Sequence, residues 1–139
     1  MEISGEVAGQ IGSGLLILLG AREGDTSAET RYLADKIANL RIFEDKIGKM
    51  NRSLIDVVGA ALVISQFTLY ADTRKGRRPS FNLALEPTGA EKLYEEFITL
   101  LADEGLQVET GQFGAKMLVS LENDGPVTII VDTPTPEQS

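Results

Sequence analysis

The chain has 139 residues, enough for one domain whose core needs no disulfide staples. Acidic residues outnumber basic ones 21 to 13, a formal charge of -8, which excludes a general nucleic-acid coat and leaves open only a local basic patch. Cys and His are both absent, so a thiol nucleophile, a Cys-ligated metal, an imidazole base and a His zinc site are excluded.

In chain order, "EVAGQIGSGLLILLGA" reads as a strand, a Gly-rich turn and a second strand. The unbroken apolar run Leu15 to Leu19 predicts a strand covered on both faces. "DTSAETRYLADKIANLRIF" reads as a helix: Thr26 and Glu29 have capping-box spacing, and Leu33, Ile37 and Leu40 share one face. "ALVISQFTLYA" is β-branched and aromatic and predicts a strand. "EPTGAEKLYEEFITLLADEG" predicts a second helix, with Pro87 before it, a capping box of Thr88 and Glu91, and Gly105 as its stop. Leu93, Phe97, Leu100 and Leu101 form its apolar stripe.

The last third reads as strands. "LQVET" leads through Gly111 to "AKMLVSLEN", where Met117, Val119 and Leu121 alternate with Leu118, Ser120 and Glu122. "VTIIVD" follows the Gly125-Pro126 pair. Two helices unevenly placed among five or more strands predict an α+β fold rather than a doubly wound one. Residues 1–132 read as one domain, and the polar, Pro-rich residues 133–139 as a disordered tail. No apolar run reaches membrane-spanning length and the N-terminus has no signal-peptide pattern, so the expected location is cytoplasmic, away from any membrane.

Four segments are candidates for chemistry. In "SQFTL", strand alternation puts Gln66 and Thr68 on one face and Ser65, Phe67 and Leu69 on the other. Thr is also a common strand former. As a nucleophile Thr68 needs an activating base; there is no His, and no Lys lies nearby in sequence, so a donor or positioning role is favoured. In "TRKGRRPSF", Arg74, Lys75, Arg77 and Arg78 make either a solvated loop or a small phosphate-contacting patch. "GQFGAKM" carries Lys116 and Met117. In "NDGPVT" the residues favour a tight turn; only about 5% of X–Pro bonds are cis, although a cis bond here would turn two carbonyls the same way, and Gly125 would let a ligand approach the backbone.

Taken together, "SQFTL", "RRPSF", "GQFGAKM" and "LENDGPVT", in this order and spacing, resemble the D-aminoacyl-tRNA deacylases, also called D-tyrosyl-tRNA deacylases. "GQIGSGLLILLG" and "LRIFEDKIGKMN" are similar to the same family, and the likeness runs from about Glu6 to Val131. It implies hydrolysis of the ester between a D-amino acid, or mischarged glycine, and tRNA. It also implies a homodimer with a β-barrel-like core, two main helices packed outside and an active site at the dimer interface. Ser65, Gln66, Phe67 and Thr68 would line the catalytic pocket, with the Phe67 amide near the scissile carbonyl. Gly125 and Pro126, cis in the family, would form a chiral gate from the other subunit, with Met117 as a further substrate contact. Arg74, Lys75, Arg77, Arg78 and Lys116 would meet the 3′-terminal adenosine end of the tRNA. The family's chemistry implies assistance from the 2′-hydroxyl of that adenosine, with no cofactor and no metal.

The resemblance departs at the start. Family members begin with a further strand of roughly ten residues, containing a Gln-Arg-Val stretch whose Arg fixes the Gly-Pro carbonyls, and "MEISGEV" begins after it. An exposed sheet edge is the expected consequence. Two other readings stand beside the deacylase: a Ser/Thr esterase of small acyl substrates using Thr68, and a non-catalytic tRNA-binding remnant of the family.

Overall fold

The computed structural model describes residues 1–124 and 127–134. Its elements are β1 (Glu2–Ile3), β2 (Glu6–Val7), β3 (Gly14–Leu19), α1 (Ser27–Asn39), β4 (Phe43–Glu44), β5 (Met50–Arg52), β6 (Ala60–Ser65), a 3-10 turn (Phe67–Tyr70), α2 (Pro87–Asp103) and β7 (Gln107–Thr110). The central sheet is parallel, in the order β3-β6-β7. Gly14 to Leu19 run in register with Ala60 to Ser65, and Ala60 to Val63 with Gln107 to Thr110. α1 links β3 to β6, and α2 links β6 to β7. Right-handed crossovers that step in one direction across a sheet place both helices on the same face. Here both helices contribute to one core, with Ala34 and Ala38 of α1 and Tyr94, Phe97 and Leu101 of α2 packed on Ile17, Ala61 and Val63. The α+β expectation holds in its coarser form, as a mixed α and β fold with two helices outside a sheet, and the one-sided helical layer separates it from a doubly wound fold.

Local chemistry explains the helix ends. The Thr26 hydroxyl accepts from the Ala28 amide at 3.2 Å and the Glu29 carboxylate accepts from the Thr26 amide at 2.7 Å, so the expected capping box is present. The start of α2 lies two residues earlier than its expected box. Pro87 occupies the first turn, where its fixed φ and missing N–H cost nothing. Glu86 is therefore the cap, accepting from the Thr88 amide at 2.9 Å and the Gly89 amide at 2.6 Å. Gly105 stops α2 as expected, with φ of 85°.

Alternation along β6 divides the packing. Ala61 and Val63 face the helices, while Leu62 and Ile64 join Met1 on the other face. Ile3, Ile11, Leu16, Met117 and Val119 pack against this second cluster. Covering of β3 on both faces is incomplete, because Leu18 remains 46% exposed.

The barrel expectation is corrected: among the described residues the sheet is open. β1 and β2 form a small hairpin around Ser4 and Gly5, both at positive φ as a tight two-residue turn requires. Leu118 exchanges backbone hydrogen bonds with Glu2 at 2.8 and 2.9 Å, but no ladder extends from that bridge. Met117 and Val119 keep their inward alternation, yet beyond the Leu118–Glu2 bridge "AKMLVSLEN" and "VTIIVD" form no strand among the described residues. Strand propensity alone cannot close a barrel without an edge to pair with. No helix among the described residues is long and apolar enough to cross a membrane.

Val58 is the strained point of the framework, with φ of 52° and 83% exposure. A β-carbon in that conformation costs about 1–2 kcal/mol, partly offset by the entropy a glycine loses on folding. Val58→Gly is expected to raise unfolding stability by about 0.5–1 kcal/mol. An increased midpoint in urea unfolding checks this, and a decrease contradicts it.

Candidate active site at the carboxyl edge of the sheet

Parallel strands end together, so the segments after β3, β6 and β7 gather at one edge, the usual place for ligand sites in parallel α/β sheets. Here those segments are Gly20, Gln66–Tyr70 and Gly111–Met117. Of the four candidate segments, "SQFTL" and "GQFGAKM" thus follow strand ends directly.

"SQFTL" is not a continuous strand. Ser65 is the last ladder residue, opposite Leu19, and the Gln66 amide still donates to the Leu19 carbonyl at 2.8 Å. The chain then tightens into the 3-10 turn, with the Leu69 amide donating to the Gln66 carbonyl at 3.2 Å. Gln66 and Thr68 do come together, through a 2.5 Å hydrogen bond from Gln66 Nε2 to Thr68 Oγ1. An amide is not a base and cannot take the hydroxyl proton, so this bond orients Thr68 without activating it. Phe67 opens the turn, and its N–H has no acceptor inside that turn. Gly20 permits the whole arrangement: a β-carbon there would lie 3.2 Å from the Gln66 carbonyl oxygen and from Leu69 Cβ.

The basic loop is tied to the same edge. Asp72 and Ser80 exchange backbone hydrogen bonds at 2.7 and 2.9 Å, closing the loop that carries Arg74, Lys75, Arg77 and Arg78. All four basic side chains are exposed. The returning segment is fixed by the Leu85 amide on the Ala21 carbonyl at 3.0 Å and the Glu23 amide on the Leu83 carbonyl at 2.9 Å. Phe81 meets Phe67 edge-on, with centroids 5.1 Å apart, which joins "RRPSF" to "SQFTL". Arg74 is not a free cation: Asp72 holds it through Nε at 2.9 Å and Nη2 at 2.8 Å. Those bonds hold the Asp72 carboxyl down at about 2 and push the Arg74 guanidinium up. Burial raises the Tyr70 hydroxyl, with Asp25 and Asp132 adding to the shift.

Other expected residues are more dispersed. Lys116 is exposed after β7. Met117 is half-buried against the second core cluster, and its Sδ lies 2.7 Å from where a β-carbon on Gly111 would stand. Gly125 and Pro126 lie outside the described residues. Their flanks are clamped by a 2.9 Å hydrogen bond from Asn123 Nδ2 to Thr128 Oγ1. Among the described residues no hydrogen bond joins that loop to Ser65–Thr68, and no group of three carboxylates is placed to hold a metal ion. Sequence reasoning missed Gly20, Asp72 and Phe81. The Asp72-x-Arg74 spacing, which suits a local ion pair, was the available signal for Asp72.

Comparison with known proteins covers the same span. Residues 1–132 match the family model described as D-Tyr-tRNA(Tyr) deacylase. A D-aminoacyl-tRNA deacylase of Brevibacillus brevis is 60% identical over 133 residues, covering 96% of this chain and 92% of that protein. One from Dehalococcoides mccartyi is 59% identical, covering 96% and 87%. A solved structure named c-Myc DNA Unwinding Element Binding Protein superposes with a TM-score of 0.89 at 40% identity, covering 96% of this chain and 91% of that one.

Asp72 supplies a pH test. Its folded pKa of about 2 lies below the ordinary 3.8, so the bridge contributes fully above pH 3.8 and is lost only as pH falls through about 2. Carboxyl carbon NMR should show Asp72 titrating near 2. A midpoint at or above 3.8 contradicts the bidentate pairing.

Proposed function

The chain belongs to the D-Tyr-tRNA(Tyr) deacylase family, and from this premise we infer that it works as an esterase built mainly from backbone groups. It hydrolyses the ester bond of D-aminoacyl-tRNA, releasing free D-amino acid and tRNA, a proofreading step of translation. The observation that carries the mechanistic reading is the Gln66–Thr68 turn at the carboxyl edge, with a Thr hydroxyl oriented by an amide and no base beside it in the sequence.

In this reading the Phe67 N–H donates to the carbonyl oxygen of the scissile ester as negative charge develops there. One such donor is worth roughly 3–4 kcal/mol of barrier. Water adds to the carbonyl carbon, the bond to the ribose oxygen breaks, and that oxygen leaves as a hydroxyl. The vicinal 2′-hydroxyl of the terminal adenosine assists the proton movement. Ser65, Gln66 and Thr68 shape the pocket around the ester. Gly125 and Pro126 form the chiral gate, contributed by the partner copy of a homodimer, and Met117 supports the substrate side. Glycine, lacking a side chain on either hand, passes the same gate.

The homodimer reading is supported by exposed apolar side chains that a second copy would cover, among them Leu18, Leu69, Leu121 and Ile130. Lys75, Arg77 and Arg78, with Arg74 half-neutralised by Asp72 and Lys116 beyond β7, meet the phosphates near the tRNA 3′ end. A few such contacts suffice despite the net acidity. The activity belongs in the cytoplasm, where aminoacyl-tRNA is used. The acyl-Thr68 alternative is disfavoured by the unactivated hydroxyl, and a non-catalytic remnant would bind tRNA tightly without turnover.

The test compares D- and L-tyrosyl-tRNA as substrates, with wild type and Thr68→Ala in parallel. Wild type should hydrolyse the D-form far faster than the L-form. Thr68→Ala should lose less than about tenfold, whereas loss of a true nucleophile costs roughly 10⁴-fold or more. Equal rates on the two forms contradict the function, and a nucleophile-sized loss contradicts the role given to Thr68.

A further inference from the structure

The fork between β6 and β7 holds a buried group that the mechanism above does not use. Val63 and Thr110 are the last paired residues of the β6–β7 ladder. Beyond them β6 continues to Ser65 alongside β3, while β7 ends and the chain turns into Gly111–Met117. At this point the side chain of Tyr94, 5% exposed, reaches in from α2. Its hydroxyl donates to the Val63 carbonyl at 3.0 Å. Burial raises the pKa of this hydroxyl, outweighing the opposing influence of the nearby Gly111 amide and Thr110 hydroxyl. The proton therefore stays on Tyr94 at neutral pH, and the donor to Val63 persists. The ring also packs on Phe113, with centroids 5.9 Å apart.

One side chain thus touches both arms of the candidate site: β6 at Val63, two residues before Ser65, and the segment after β7 at Phe113. A Phe would fill the same core volume, so packing alone does not call for the hydroxyl. We propose that Tyr94 is a positioning residue of the deacylase reaction, its hydroxyl standing in for the next ladder bond and fixing the separation between the Gln66–Thr68 turn and the Gly111–Met117 arm. The proposal rests on the reading of Ser65–Thr68 as the catalytic turn. Backbone donors have no side-chain freedom with which to recover a misplaced geometry, so a shift of an ångström at the fork passes directly to the Phe67 amide.

Tyr94→Phe removes one oxygen and leaves the ring. Its kcat on D-tyrosyl-tRNA, corrected for the folded fraction measured by circular dichroism, should fall by about tenfold to a hundredfold, with KM little changed and D-over-L discrimination narrowed. Phe97→Leu, one turn along the same helix and wholly in the core, is the stability control and should retain kcat per folded molecule. An unchanged kcat in Tyr94→Phe, or an equal loss in Phe97→Leu, overturns the proposal. Should Tyr94→Phe fail to fold, Thr110→Val removes the neighbouring hydroxyl from the same fork. A reduced kcat then supports the proposal and an unchanged one overturns it. Wild-type enzyme without D-selective turnover would remove the functional reading itself, a result distinguishable from an indifferent Tyr94→Phe.

Discussion

The parallel ladder between β3 and β6 is the constraint on which the rest depends. Six consecutive pairs, Gly14–Ala60 to Leu19–Ser65, fix the two strands in direction and register. Parallel pairing requires a crossover, and α1 supplies it; the repeated step to β7 requires α2. Handedness then places both helices on one face and every strand end at one edge. Gly14 shows how closely this ladder is drawn, because a β-carbon there would sit 1.8 Å from the Ala60 carbonyl oxygen. The candidate site at the carboxyl edge is therefore a product of topology before it is a product of any side chain.

In the proposed reading, chemistry at that edge follows from what the chain lacks. With no His or Cys, the protein has few side chains able to shuttle protons near neutrality. What remains is geometry: a glycine that lets two segments approach, an amide that orients a hydroxyl, a turn that presents an N–H, and a buried tyrosine at the strand fork. An aminoacyl ester of tRNA is already reactive and carries its own neighbouring hydroxyl. For such a substrate, orientation and preorganised dipoles supply most of the needed rate without a strong nucleophile. In the proposed reading the basic loop attracts phosphates, while Asp72 holds one of its arginines in place.

Much of this was legible in the residues, and the failures have physical causes. The α1 capping box was read correctly because Thr and Glu at that spacing satisfy each other's backbone amides locally. The spacing of Thr88 and Glu91 points to a cap two residues late, because Pro87 forms the first turn of α2 rather than preceding it. The residues of "SQFTL" favour a strand, but the ladder partner β3 ends at Leu19, and without it the chain tightens. The final third carried a real alternation, visible in the inward Met117 and Val119, but pattern says nothing about whether an edge is available. The family resemblance was carried by short motifs whose contact in space, such as Phe67 on Phe81, no period or propensity reports. Tyr94 was invisible for the opposite reason, since a tyrosine on an apolar helical face looks like core.

The central claim is that the substrate's own hydroxyl, positioned by backbone groups, does the work that a protein base would otherwise do. It is tested most directly by single-turnover hydrolysis of D-tyrosyl-tRNA bearing a 2′-deoxy terminal adenosine, against the same tRNA with the hydroxyl intact. The account predicts that the deoxy substrate binds with similar affinity and is cleaved much more slowly. Equal cleavage rates for the two substrates would contradict it.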